Sequence, residues 1–89
     1  MNKKKLTTEE IFKLAFENHK KNNLQDAENL YKDAIKQKHD HINSLFYLAG
    51  LLAQKKNFNE AKELFEKVIV LNPKYPSAND NLCAIYKML

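Results

Sequence analysis

The 89-residue chain contains no tryptophan and no arginine, one glycine, two prolines and one cysteine. Each shortage excludes something. One glycine cannot build a glycine-rich phosphate loop, whose backbone must approach the phosphates at several positions. Without arginine there is no planar fork for bidentate reading of guanine, phosphate or carboxylate, which argues against sequence-specific nucleic-acid recognition. Cys83 cannot close an internal disulfide, which fits a reducing cytoplasm, the expected location. No window approaches the roughly 20 apolar residues that span a bilayer. The start, MNKKKLTTEE, reaches acidic residues before an apolar segment of signal-peptide length could form, so a soluble protein with no membrane partner is expected.

What the chain does contain is Ala, Leu, Lys, Glu, Asn and Gln in abundance, a balance that favours helix. Fifteen lysines face eleven acids, a modest excess of +4. The length suits one small domain of thin stability, with about 60 to 65% of the unfolded surface buried.

Helix signals recur along the chain. Thr7-x-x-Glu10 is a capping-box pattern, and Ile11, Leu14, Ala15 and Asn18 follow on one stripe. Asn22-Asn23 predicts a stop, because Asn tolerates the left-handed conformation and also caps a following helix. A second helix is predicted from about Leu24 to Gln37, burying Leu24, Ala27, Leu30, Tyr31, Ala34 and Ile35. Leu45, Leu48, Ala49 and Leu52 mark a third, ending near Lys55-Lys56. Asn57, boxed by Glu60, starts a fourth that buries Phe58, Ala61, Leu64, Phe65, Val68 and Ile69 and stops at Asn72-Pro73. Pro76 suits the first turn of a fifth, carrying Leu82, Cys83 and Tyr86.

The stretch NLQDAENLYKDAI, residues 23–35, returns as NFNEAKELFEKVI, residues 57–69, shifted by 34 places without a gap. A fixed period of this size marks a stacked repeat array, in which each unit buries its apolar face against its neighbours. Small residues are needed where the two helices of a hairpin cross, which places Ala15 with Ala27 and Ala49 with Ala61 at the crossings. Tyr31 and Phe65 then fill the wedge between hairpins. On Ile11, Leu14-Ala15, Ala27, Tyr31 and Ala34, and again on Leu45, Leu48-Ala49, Ala61, Phe65, Val68 and Pro73, the chain resembles the tetratricopeptide repeat family. Asn79, Leu82-Cys83 and Tyr86 open a third unit. His39 stands where the proline is expected, Asn18 and Asn79 where a large apolar or aromatic residue is, and Val68 where a small one is.

The resemblance implies an all-α fold, a right-handed superhelical stack of antiparallel helix-turn-helix repeats with five helices. A basic tail covers residues 1–7 and a single domain 8–89, with repeats at about 8–41 and 42–75 and a terminal helix 76–89. It also implies a non-catalytic protein-interaction module, an adaptor or scaffold, that binds a protein or peptide along its first helices. Helical spacing places Phe12, Phe16 and His19 on a stripe beside the core, with Phe46, Gly50 and Ala53 and then Asp80, Ala84 and Lys87 as counterparts. Lys13, Tyr47 and Asn81 run parallel. The candidate groove is therefore Phe12, Lys13, Phe16, His19, Asn43, Phe46, Tyr47, Gly50, Gln54, Asp80 and Asn81. Such a surface suits an apolar or aromatic segment, laid down as a helix or extended. The alternative is that the phenylalanines simply pack first helix on first helix. Family members that hold acidic chaperone tails do so with lysine, asparagine and arginine. Phe12, Phe16, Tyr47, Ser77 and Asn81 occupy those places here, which argues against that client.

Leu82, Ile85, Tyr86, Met88 and Leu89 give the fifth helix more apolar surface than a solvated cap needs, suggesting self-association through this end. Other chemistries find less support. His39-Asp40-His41 with His19 does not make a closed ligand set, so no metal and no cofactor is expected. Cys83 is read as buried packing at a crossing. Glu9-Glu10, Lys20-Lys21 and Lys55-Lys56 complement helix ends. Nonspecific nucleic-acid binding through the lysines is an alternative, although RNA-reading hairpin arrays have a period of 35. A fragment or regulatory subunit of a larger enzyme is another.

Overall fold

The computed structural model describes Lys5–Leu89, so residues 1–4 of the expected basic tail lie outside the described residues. Five helices follow one another: α1 Thr8–Lys20, α2 Leu24–Gln37, α3 Ile42–Gln54, α4 Phe58–Leu71 and α5 Ala78–Met88. No strand occurs among the described residues. Helix α1 pairs with α2 and α3 with α4, α2 also meets α3, and α5 closes on α4 with lighter contact to α3. The result is a stack of helical hairpins measuring 51 × 26 × 18 Å.

The helix ends show why these segments form. Thr7 is extended (φ −75°, ψ 163°), and its hydroxyl accepts from Glu10 N–H while the Glu10 carboxylate accepts from Thr7 N–H, the expected box. The box expected at Asn57 and Glu60 is absent. Asn57, like Asn23, has ψ of 72°, short of the extended geometry that points a cap side chain back at the first turn, and neither makes a side-chain cap bond. Both hairpin turns use one motif. Asn22 and its counterpart Lys56 take φ of 66° and 67°. Asn23 N–H then bonds Asn18 C=O, and Asn57 N–H bonds Leu52 C=O, both at 2.8 Å. Helix α5 starts at Ala78 rather than at Pro76, because Ser77 turns left-handed (φ 68°) just before it.

Ala15, Ala27, Ala49 and Ala61 are completely buried, as expected where backbones cross. Tyr31 and Phe65 are buried in the same apolar cluster. Val68 is also fully buried, in a smaller cluster with Leu45 and Ala78, so its extra bulk is accommodated. Two expectations fail here. Leu14 is 40% exposed, because α1 packs only on α2 and α3 and Leu14 lies on its far side. Cys83 is exposed, because α5 meets its neighbours through Ala78, Leu82 and Ile85 and leaves Cys83 facing outward.

An ionic link ties the first hairpin to the second. Glu28 on α2 is 8% exposed and accepts from Lys55 Nζ at 2.6 Å, at the end of α3, and from Lys32 Nζ at 2.8 Å. Hydrogen bonds from Lys32 and Lys55 hold its carboxyl below the ordinary value.

Candidate functional site

Aromatic rings form a continuous row across α1 and α3. Phe12 lies 6.1 Å from Phe16, 6.0 Å from Tyr31 and 5.8 Å from Tyr47, centroid to centroid. Phe16 meets Tyr47 edge to face at 5.2 Å. Phe46 touches Tyr47 at 5.2 Å, Phe65 at 5.6 Å and Tyr75 at 4.8 Å. Edge-to-face and tilted contacts of this length are favourable beyond simple burial. Phe12, Phe16, Phe46 and Tyr47 are each only half-buried, so the row is both packing and surface.

Polar groups fix the row's edges. His41 is buried at the head of α3. Its Nδ1 accepts from Ser44 N–H at 3.3 Å and from Ser44 Oγ at 2.7 Å. The ring proton then sits on Nε2, which donates to Glu9 Oε2 at 2.6 Å, and this bond holds the Glu9 carboxyl below its ordinary value. In the second unit Tyr75 O–H donates to Asn43 Oδ1 at 2.6 Å. The two arrangements are counterparts 34 residues apart: Glu9, Phe12 and His41 correspond to Asn43, Phe46 and Tyr75. His19 Nδ1 is hydrogen-bonded to the buried Tyr31 hydroxyl at 3.0 Å, and burial pushes that hydroxyl up beyond the usual phenol range.

A depression of about 200 Å³ opens among Phe12, Phe16, Asn43, Tyr47 and Tyr75. Four of these stand among the sequence-derived groove residues, and Tyr75 does not. Its counterpart His41 enters the sequence reading only within His39-Asp40-His41, as part of an incomplete ligand set. The available signal was the repeat itself, which sets positions 41 and 75 in register beside Phe12 and Phe46. Gly50 lies further along α3, half-buried, with nothing within 4 Å of where a Cβ would stand. Lys13 is not brought to the row; it lines a separate depression with Leu6, Glu10, Leu14 and Glu17. Gln54 is exposed at the end of α3, and Asp80 and Asn81 lie on α5 without lining the aromatic depression.

A larger depression of about 420 Å³, beside α4, has a mostly apolar surface from Leu45, Val70 and Leu71, rimmed by His39, Asp40, Glu63, Glu66 and Lys67. The C-terminal surface differs from expectation. Ile85 is 4% exposed and Leu82 half-buried, both packed into the main core, because α5 turns that edge onto α4. Tyr86, Met88 and Leu89 remain exposed, with Tyr86 O–H donating to Glu66 Oε2 at 2.7 Å. No cluster of three metal-ligating side chains occurs among the described residues, and no helix there is long and apolar enough to cross a membrane.

Paired helices in register at a 34-residue spacing, with alanine crossings and an aromatic wedge, define a helical-hairpin repeat protein. The family model described as tetratricopeptide repeat matches residues 19–85, and the chain belongs to that family. Repeats of this family generally mediate protein–protein interaction. A comparison with curated proteins returned no match.

Proposed function

We propose that the chain is a non-catalytic adaptor, with residues 8–89 acting as one unit that binds a protein or peptide segment along the groove formed by α1, α3 and α5. The supporting observation is the row of half-exposed rings, Phe12, Phe16, Tyr47 and Phe46, running toward open space at Gly50. A surface of this kind is stabilised by covering it with another apolar group. Phe12, Phe46 and Tyr47 also pack against the core, so they form the floor, with the Tyr47 hydroxyl at its surface, while Phe16 meets the partner.

A photo-reactive amino acid at position 16, compared with one at position 70, tests this reading. The exposed Val70 side chain on α4 serves as the control surface. Partner adducts from position 16 and not from position 70 are expected in extract from the native cell. Adducts from position 70 alone would sink the reading. Self-association through the C-terminal end rests on Tyr86, Met88 and Leu89, and a clean monomer in sedimentation at high protein concentration would remove it.

A further inference from the structure

We infer that the segment taken by this groove is a proline-containing stretch in the polyproline II conformation, a specificity that rests on the groove reading above. The polar atoms carry the inference. Asn43 Oδ1 accepts from Tyr75 O–H at 2.6 Å, which fixes the amide with its oxygen occupied and its two N–H donors free of any acceptor among the described residues. The Tyr47 hydroxyl likewise has no hydrogen-bond partner among the described residues and can donate. The depression thus combines ring faces with N–H and O–H donors, and none of its five lining residues is charged. Nearby charges are already engaged: His41 holds Glu9, and the Lys20 ammonium lies 5.2 Å above the Phe16 ring.

A ligand for such a site needs an uncharged apolar side chain beside an unpaired carbonyl. A helical ligand spends its carbonyls on its own backbone, apart from those of the last turn. A β-strand needs a sheet edge offering both donors and acceptors, and five helices provide none. Polyproline II has no internal hydrogen bonds, so every carbonyl is free, and proline carries no N–H that would be left without an acceptor. Its compact, puckered ring packs on aromatic faces. The volume agrees. At about 200 Å³ the depression falls below the roughly 300–1,000 Å³ of small-molecule sites and has room for a side chain or two. The open space at Gly50 lets an extended chain continue along α3.

The test is an NMR titration of the full chain with a blocked oligoproline of about ten residues, set against an alanine-rich helical peptide of equal length carrying leucines. Expected are shifts concentrated at Phe12, Phe16, Asn43, Tyr47 and Tyr75 with oligoproline. Asn43→Leu should weaken binding about tenfold and Tyr47→Phe severalfold. Tyr47→Phe keeps the ring and provides the second arm should Asn43→Leu disturb the fold. Oligoproline that leaves these five residues unshifted at millimolar concentration, or binds Tyr47→Phe and Asn43→Leu as well as the parent chain, overturns the inference. If the helical peptide shifts the same residues equally or better, the conformational assignment fails and the groove stands. If both peptides shift only α5 or the surface around Val70, the groove reading fails with it.

Discussion

Replacing Gly50 with alanine separates the demands of folding from those of binding at one position. Gly50 lies in the interior of α3, with helical residues on both sides and no positive φ. Alanine is favoured over glycine there by about 0.8–1.0 kcal/mol, because glycine gives up more backbone freedom on folding. A methyl group usually risks overpacking, but nothing lies within 4 Å of the new Cβ. It therefore meets no neighbour to offset the backbone gain. The chain should become more stable by about 1 kcal/mol, raising the Tm by roughly 4–8 °C for a domain of this size. Thermal and urea unfolding followed by circular dichroism measure this, with an unchanged urea slope expected. On the groove reading the same methyl stands on the floor a ligand must cross, so oligoproline affinity should fall severalfold while stability rises. A Tm that stays level or drops would refute the stability argument, since it would mean that something does approach Gly50. Raised stability with undiminished affinity would refute the placement of the ligand over α3.

Three further outcomes follow from the packing. Ala61→Leu forces a branched side chain into a fully buried crossing opposite Ala49 and should cost about 1–3 kcal/mol in urea unfolding; a neutral result would contradict close approach of α3 and α4 there. Glu28 has its carboxyl lowered in the folded chain, so its contribution is present above the ordinary glutamate value of 4.5 and is lost as pH falls through the lower folded value. Acid unfolding of Glu28→Gln should show a smaller loss of stability across that window, with about 1–2 kcal/mol at stake after allowing for the solvent around both lysines. Cys83 should react with a thiol reagent in the native protein at nearly the rate of the unfolded chain; marked protection would place it back in a helix crossing.

The sequence was most readable where one physical demand acts twice. Alanine at positions 15, 27, 49 and 61 and an aromatic at 31 and 65 are dictated by backbone approach and wedge filling, and all six are buried in the structure. Helix ends were legible where side-chain chemistry dominates, as at Thr7 and Glu10. They were less so where backbone geometry decides: Asn57 resembles a cap in sequence, but a ψ of 72° withholds its side chain from the first turn. Lys56 gives no left-handed signal of its own, and only its register with Asn22 marks it. Leu14, Cys83 and Ile85 show a different limit. Periodicity says which residues share a stripe, while exposure depends on which neighbour covers that stripe. Helix α5 presents Leu82 and Ile85 to α4 and leaves Cys83 outside.

The two units also show how a repeat can preserve a relation while exchanging the residues that make it. In each, a residue of the connection to the next first helix, His41 directly before α3 and Tyr75 ahead of Pro76 and Ser77, reaches back to the second residue of its own first helix, at 2.6 Å in both cases. It also packs on the phenylalanine one turn further along that helix, at 5.5 Å for Phe12 with His41 and 4.8 Å for Phe46 with Tyr75. Histidine with glutamate and tyrosine with asparagine have little in common as residue types, so alignment by similarity passes over them. Physically each closes the hairpin-to-hairpin joint with a hydrogen bond and braces a ring. The chemical consequences differ. The first clasp engages the carboxylate and spends the ring's second nitrogen on capping α3 through Ser44. The second is uncharged, and its asparagine retains free N–H donors beside an aromatic depression. The architectural requirement is thus met twice, and only the second solution leaves donors over for a ligand. For that reason the proposed ligand is placed around Asn43, Tyr47 and Tyr75 rather than around Glu9 and His41.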